Sequence, residues 1–144
     1  MTILRAVVAA ILIALMTVTP LSAVLEPGRH ETRFPASGAG IAPLPVVVDD
    51  WTGLVAGIGL AAPTLHDGVS NPDGDDRVLH ISWLGGACDH RVWLIFERAD
   101  DGFRLAMRTD RAGGCILMAV GRAIEIRLRS RVDAATVAFY GFHD

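Results

Sequence analysis

Between residues 77 and 128 apolar and polar residues alternate with a period of two. That spacing sends successive side chains to opposite faces of an extended strand. Residues 77–84 place Leu79, Ile81 and Trp83 on one face, residues 91–99 place Val92, Leu94 and Phe96, and residues 103–109 place Phe103, Leu105 and Met107. No segment of the second half has the three-to-four spacing of an amphipathic helix, so the chain must bury its apolar side as sheet against sheet.

Turn residues turn this pattern into register expectations. Asp101-Gly102 predicts a two-residue type I′ hairpin, whose central residues need positive φ. That register sets Phe96 opposite Met107 and Leu94 opposite Thr109. A second hairpin across residues 85–90 sets Leu79 opposite Phe96, Ile81 opposite Leu94 and Trp83 opposite Val92. Three neighbouring strands of one sheet then share one apolar face, as a half-buried sheet requires. Carried to its open end, the first hairpin sets Cys88 opposite Cys115.

After Cys115 the even positions Ile116, Met118, Val120, Ile124, Ile126 and Leu128 are apolar, and Arg122 alone interrupts them. This predicts one strand bent at Gly121, or two meeting there. Arg122 is expected at a bulge, pointing outward; the alternative is burial beside an acid. Val137 and Phe139 mark a last short strand. Upstream, residues 46–48 read as the first strand, residues 49–53 as a turn, residues 54–60 as a glycine-interrupted strand and residues 65–76 as a polar loop. The expected fold is all-β: an antiparallel β-sandwich, immunoglobulin-like or similar, with one disulfide, the alternative being a small β-barrel.

The N-terminus has a different character. Arg5 precedes an uncharged apolar run over residues 6–18, then Pro20 and the small residue Ala23. These are the parts of a secretory signal, with cleavage expected after Ala23. The run is shorter than the roughly 20 residues that span a hydrocarbon core, although an uncleaved segment would remain as a membrane anchor. The expected division is a signal peptide over 1–23, a Pro/Gly/Ala-rich flexible lead over 24–45 and a β domain over 46–144. The product is expected to be secreted or held in the cell envelope. Cleavage removes Arg5 and takes the formal net charge from −3 to −4, which argues against nucleic acid as a partner. The chain has no Lys, no Gln and one Asn, a composition that fits a GC-rich bacterial genome.

Export decides the reading of the cysteines. Cys88-Asp89-His90 would suit a thiol nucleophile beside a base. In an oxidising compartment the two cysteines, Cys88 and Cys115, are expected to form a disulfide, which removes the nucleophile. A metal site of Cys88, His90 and Cys115 would have only three ligands. The loop carrying Asp67, Asp73, Asp75 and Asp76 is the lesser metal candidate. With Gly74 at the sharp turn of an EF-hand template, Val69 stands where the first acid belongs and His80 where the bidentate Glu belongs. No cofactor is expected, and no nucleophile elbow, phosphate loop or zinc-protease motif occurs.

Contact candidates come from the non-core faces. Trp93 lies there by register, as do Arg104, Arg108, Arg127 and Arg129, which make one basic patch if their strands share a sheet. Trp51 and Trp83 are expected in the core and His80 at the surface. The function expected is a non-catalytic exported binding or structural module, its partner a protein or envelope component. The alternatives are a small secreted metal-dependent enzyme using residues 67–76 and an inhibitor of an extracellular enzyme.

Overall fold

The computed structural model describes residues 26–36, 42–65, 67–111, 113 and 118–143. The signal segment and Cys115 lie outside the described residues. Among them are nine strands: β1 (Gly28–Phe34), β2 (Leu44–Asp50), β3 (Val55–Ala61), β4 (Gly68–Ser70), β5 (Val78–Gly86), β6 (Asp89–Ala99), β7 (Gly102–Arg111), β8 (Ala119–Leu128) and β9 (Val137–His143). The chain is all-β, in two sheets. One has the order β1-β2-β6-β7-β9 and the other β3-β8-β5-β4. Each sheet has two free edges, so the strands do not close into the barrel held as an alternative.

The facing sides supply one continuous core. Val46 and Val48 of β2, Val92, Leu94 and Phe96 of β6 and Leu105 and Met107 of β7 meet Leu79, Ile81 and Trp83 of β5 and Ile124 and Ile126 of β8. These are the alternating positions read from the sequence, and their burial is why the strands form.

The strands are not neighbours in the expected way. β5 and β6 lie in different sheets: β5 pairs with β8 and β4, and β6 with β2 and β7. Their apolar faces do look at one another, but across the core rather than along one surface. From Gly86 to Asp89 the chain can reach roughly 10 Å, about the spacing of two packed sheets. The pairings are also not all antiparallel. β2 runs parallel to β6, and β7 parallel to β9. The reason is visible between β7 and β9: β8 carries the chain back in the opposite sheet, so β9 returns in the direction of β7.

The β6–β7 hairpin is offset from its expected register by two residues. Phe96 faces Leu105 and Leu94 faces Met107, and the turn is Asp100-Asp101, neither at positive φ. A shift of two preserves which face is apolar, so the core pattern survives the correction. Gly102 is needed because a Cβ there would overlap the carbonyl oxygen of Thr136. The new register, with an irregularity between Asp89 and Arg91, sets Asp89 opposite Arg111. It no longer sets Cys88 opposite Cys115.

Other expectations change with the neighbours. β1 forms inside the segment expected as a flexible lead, because β2 offers it an edge and takes it in antiparallel register from Gly28↔Asp50 to Phe34↔Leu44. β8 is one strand running through Gly121, and it pairs with β5 from Arg127 to Ala119 without a register shift, so Arg122 sits at no bulge. Arg122 points inward and is 7% exposed. Trp83 is buried, but Trp51 is 49% exposed in the turn after β2. His80, expected at the surface, is 9% exposed. It lies beside Ser82 on the outer side of the smaller sheet, where the link from β3 to β4 crosses β8 and β5. There the Thr64 amide donates to Ser82 Oγ at 3.1 Å, and a Cβ on Gly121 would meet Pro63.

Candidate functional site

On the outer face of the five-stranded sheet, residues of β1, β2 and β6 build a shallow cleft of about 190 Å³. Arg29, Glu31 and Arg33 alternate along β1 and so share one face. Pro45 and Val47 follow from β2, with Asp49 next on the same face of that strand, and Arg91 and Trp93 from β6. Trp93 lies across from Val47 in register and covers it, which is why Val47 is buried on a face that otherwise looks outward.

Asp49 holds the arrangement in place. Its carboxylate accepts Arg29 Nε at 2.8 Å and Arg29 Nη2 at 3.2 Å, and it accepts the Trp93 indole N–H at 2.8 Å. The hydrogen bonds from Arg29 hold the Asp49 carboxyl below its ordinary value, against the opposing effect of burial, and the indole N–H lowers it further. The same pairing raises Arg29. The guanidinium carbons of Arg29 and Arg91 each lie 5.5 Å from the Trp93 ring centroid, within cation–π range. Arg33 reaches Glu31 at 3.5 Å on its own strand. Among the described residues no carboxylate lies within ion-pair distance of Arg91. The cleft therefore presents a fixed indole with two guanidiniums over it, one of which, that of Arg91, has no acidic partner among the described residues.

The sequence-predicted contact residues divide between the two sheets. Trp93 is in the cleft. Arg108 stands directly across from it on β7, and Arg104 lies farther along β7, paired with Glu97 at 3.0 Å. Arg127 belongs to β8 in the other sheet, and Arg129 follows that strand with its Nε directed at the Val55 carbonyl, 3.4 Å away. The four arginines do not make one patch, because β7 and β8 are on opposite layers. Sequence reasoning missed Arg29, Glu31, Arg33, Asp49 and Arg91. The period-two charges of residues 29, 31 and 33 were the available signal, and the surrounding Pro and Gly residues hid it.

Two acids of residues 67–76 have partners within the fold. Asp75 accepts the Arg77 amide at 2.9 Å, and Asp76 pairs with Arg131 at 3.6 Å. Asn71 donates to the carbonyls of Val78 and Val132 at 2.9 and 3.1 Å and accepts the Ala134 amide at 2.7 Å. The chain's one Asn thus ties this loop to the β8–β9 link. Among the described residues no three His, Cys, Asp or Glu side chains converge on a metal position.

A second charged group lies between the sheets at the β5–β6 turn. Asp89 Oδ2 accepts the Gly86 amide at 2.7 Å, and Oδ1 meets Arg111 Nε at 3.5 Å. Arg122 donates to the Gly86 carbonyl at 3.4 Å and lies over the Phe34 ring at 5.4 Å. Burial lowers Arg122 from the usual guanidinium value, and Asp89 opposes that shift. This group closes the end of the core, and its acid is fully occupied. Among known proteins, no family model, no curated protein and no solved structure matches the chain.

Proposed function

We propose that this chain is an exported, non-catalytic β-sandwich that binds a partner in the cell envelope or outside the cell, with the outer face around Trp93 as its contact surface. One observation carries the reading. Trp93 is held half-exposed by a hydrogen bond to a buried carboxylate, with two guanidiniums over its ring, and Arg91 has no ion-pair partner among the described residues. Interfaces concentrate Trp, Tyr and Arg in this way, and a pre-positioned side chain loses little entropy on binding.

The test compares wild type with Trp93→Ala for retention on isolated envelope fractions. Retention that falls at least about tenfold in the variant supports the reading. Equal retention of the two proteins, or none by wild type, overturns it. Export has its own test: residues 1–23 fused to a reporter active only outside the cytoplasm should give activity, and a silent fusion would refute the signal.

The same reading includes a Cys88–Cys115 disulfide. No free cysteine occurs among the described residues, and Cys88 sits in the tight link between the two sheets, where a covalent tie restricts both. Intact mass after alkylation, with and without prior reduction, should differ by two blocked thiols. Alkylation of the native, unreduced protein would refute the bond.

A further inference from the structure

We infer that the cleft beside Trp93 receives one carboxylate from an acidic side chain of a protein partner, gripped by Arg91 with Arg33 in support. The inference rests on the reading of this face as the contact surface and names what that surface recognises.

A guanidinium carries its donors in a planar fork. The Arg91 guanidinium lies over the Trp93 ring and has no carboxylate within ion-pair distance among the described residues, so its fork is open. Arg29 lies over the same ring, but its Nε and Nη2 already donate to Asp49. Arg91 is the fork left to meet a planar acceptor, and a carboxylate fits it with two parallel hydrogen bonds.

Charge decides between anions. The cleft is lined by Arg29, Arg33 and Arg91 against Glu31, and Asp49, bonded to Arg29 beside it, leaves a surplus of one positive charge on a protein whose formal net charge is −3. A carboxylate neutralises that surplus. A phosphate monoester, with a charge of about −1.5 to −2, overshoots it beside Glu31.

Size and surroundings decide the class of partner. At about 190 Å³ the cleft is smaller than the roughly 300–1,000 Å³ of sites that enclose a drug-sized ligand. It takes a side group, so the rest of the ligand must lie on the sheet. The next row across that sheet runs Asp49, Ile95, Ala106 and Tyr140, with Ile95 39% and Tyr140 50% exposed. An apolar and aromatic strip beside a Trp–Arg anchor is the composition of a protein interface. A polysaccharide would need an open ring face to stack on, and two guanidiniums lie over the Trp93 ring.

The experiment titrates 15N-labelled protein with poly-L-glutamate, polygalacturonate and polyphosphate at equal charge concentration and low salt. The Trp93 indole N–H and the Arg91 side-chain resonances report binding. Poly-L-glutamate should move both and bind more tightly than the other two polymers. Arg91→Glu should weaken it at least about tenfold and Arg33→Gln less, while Arg127→Glu on the opposite sheet should leave it unchanged. An unmoved Trp93 indole resonance, undiminished binding by Arg91→Glu, or tighter binding of polygalacturonate or polyphosphate overturns the inference. Envelope retention separates the two levels. If it depends on Trp93 but survives Arg91→Glu, the carboxylate grip fails and the contact surface stands. If it ignores Trp93, the contact surface fails.

Discussion

Asp50 shows how much one polar side chain can carry in a fold of this kind. Its Oδ1 accepts the Thr52 amide at 2.8 Å, the Thr52 hydroxyl at 2.5 Å and the Gly53 amide at 3.1 Å, and its Oδ2 accepts the Val55 amide at 2.9 Å. These bonds turn the chain from β2 in one sheet to β3 in the other, with Gly53 at φ +71°. Asp50→Ala would leave several amides without their acceptor and should lower stability by about 3 kcal/mol, measured by urea unfolding; a loss under about 1 kcal/mol would contradict this account. Its neighbour Asp49 points the other way, into the cleft, and titrates below the 3.8 of a free aspartate because Arg29 bonds its charged form. As pH falls through the window from 3.8 down to the depressed value, the unfolded chain binds the proton first, so stability declines there. Above the window the contribution is complete. Arg29→Ala should therefore be less stable than wild type at neutral pH, and the difference should shrink as pH drops through that window. A pH-independent difference would sink the assignment. Of these two acids, the sequence marked only a turn at Asp49-Asp50. Which carboxylate faced the turn and which the arginine depended on how the strand was paired.

At the scale of elements, the link between β5 and β6 is the most constrained connection. Asp89 lies against the glycine pair: a Cβ would come within 2.8 Å of its carboxylate at Gly85 and 2.9 Å at Gly86. No side chain larger than hydrogen leaves room for this acid to reach the Gly86 amide and Arg111. Asp89→Ala should cost about 3 kcal/mol, since it strips a buried guanidinium of its counter-charge. Arg122→Met should cost far less, within about 1 kcal/mol of wild type, because it removes a buried cation whose Nε has no hydrogen-bond partner and leaves Asp89 with Arg111 and the Gly86 amide. Thermal or urea unfolding of the two variants checks the contrast, and equal losses would refute it. The sequence made Arg122 conspicuous as the one charge in an apolar series. It did not show which way the residue pointed, because the acid beside it comes from the other sheet.

For the molecule as a whole, a disulfide between Cys88 and Cys115 would tie the inter-sheet link to the segment between β7 and β8. By loop-closure entropy such a bond is worth about 3 to 4 kcal/mol, so reduction should lower the unfolding midpoint without changing the native spectrum. An unchanged midpoint on reduction would count against the bond. The alternation of residues 77–128 by itself determined that this stretch is β and which of its apolar side chains enter the core, because a period of two admits only one apolar face per strand. It could not determine which strands pair. Two apolar faces coincide equally well when strands lie side by side and when they meet across a core, so β5 and β6 were legible as partners but not as occupants of opposite sheets. The site has the same history. Trp93 was marked as lying off the core, and Arg91, two residues before it on β6, shares that face by the same alternation, whereas Arg29 and Asp49 came to it only when β1 and β2 joined β6. Contacts between residues distant in the chain belong to strand pairing, and the pairing was decided by the tertiary structure.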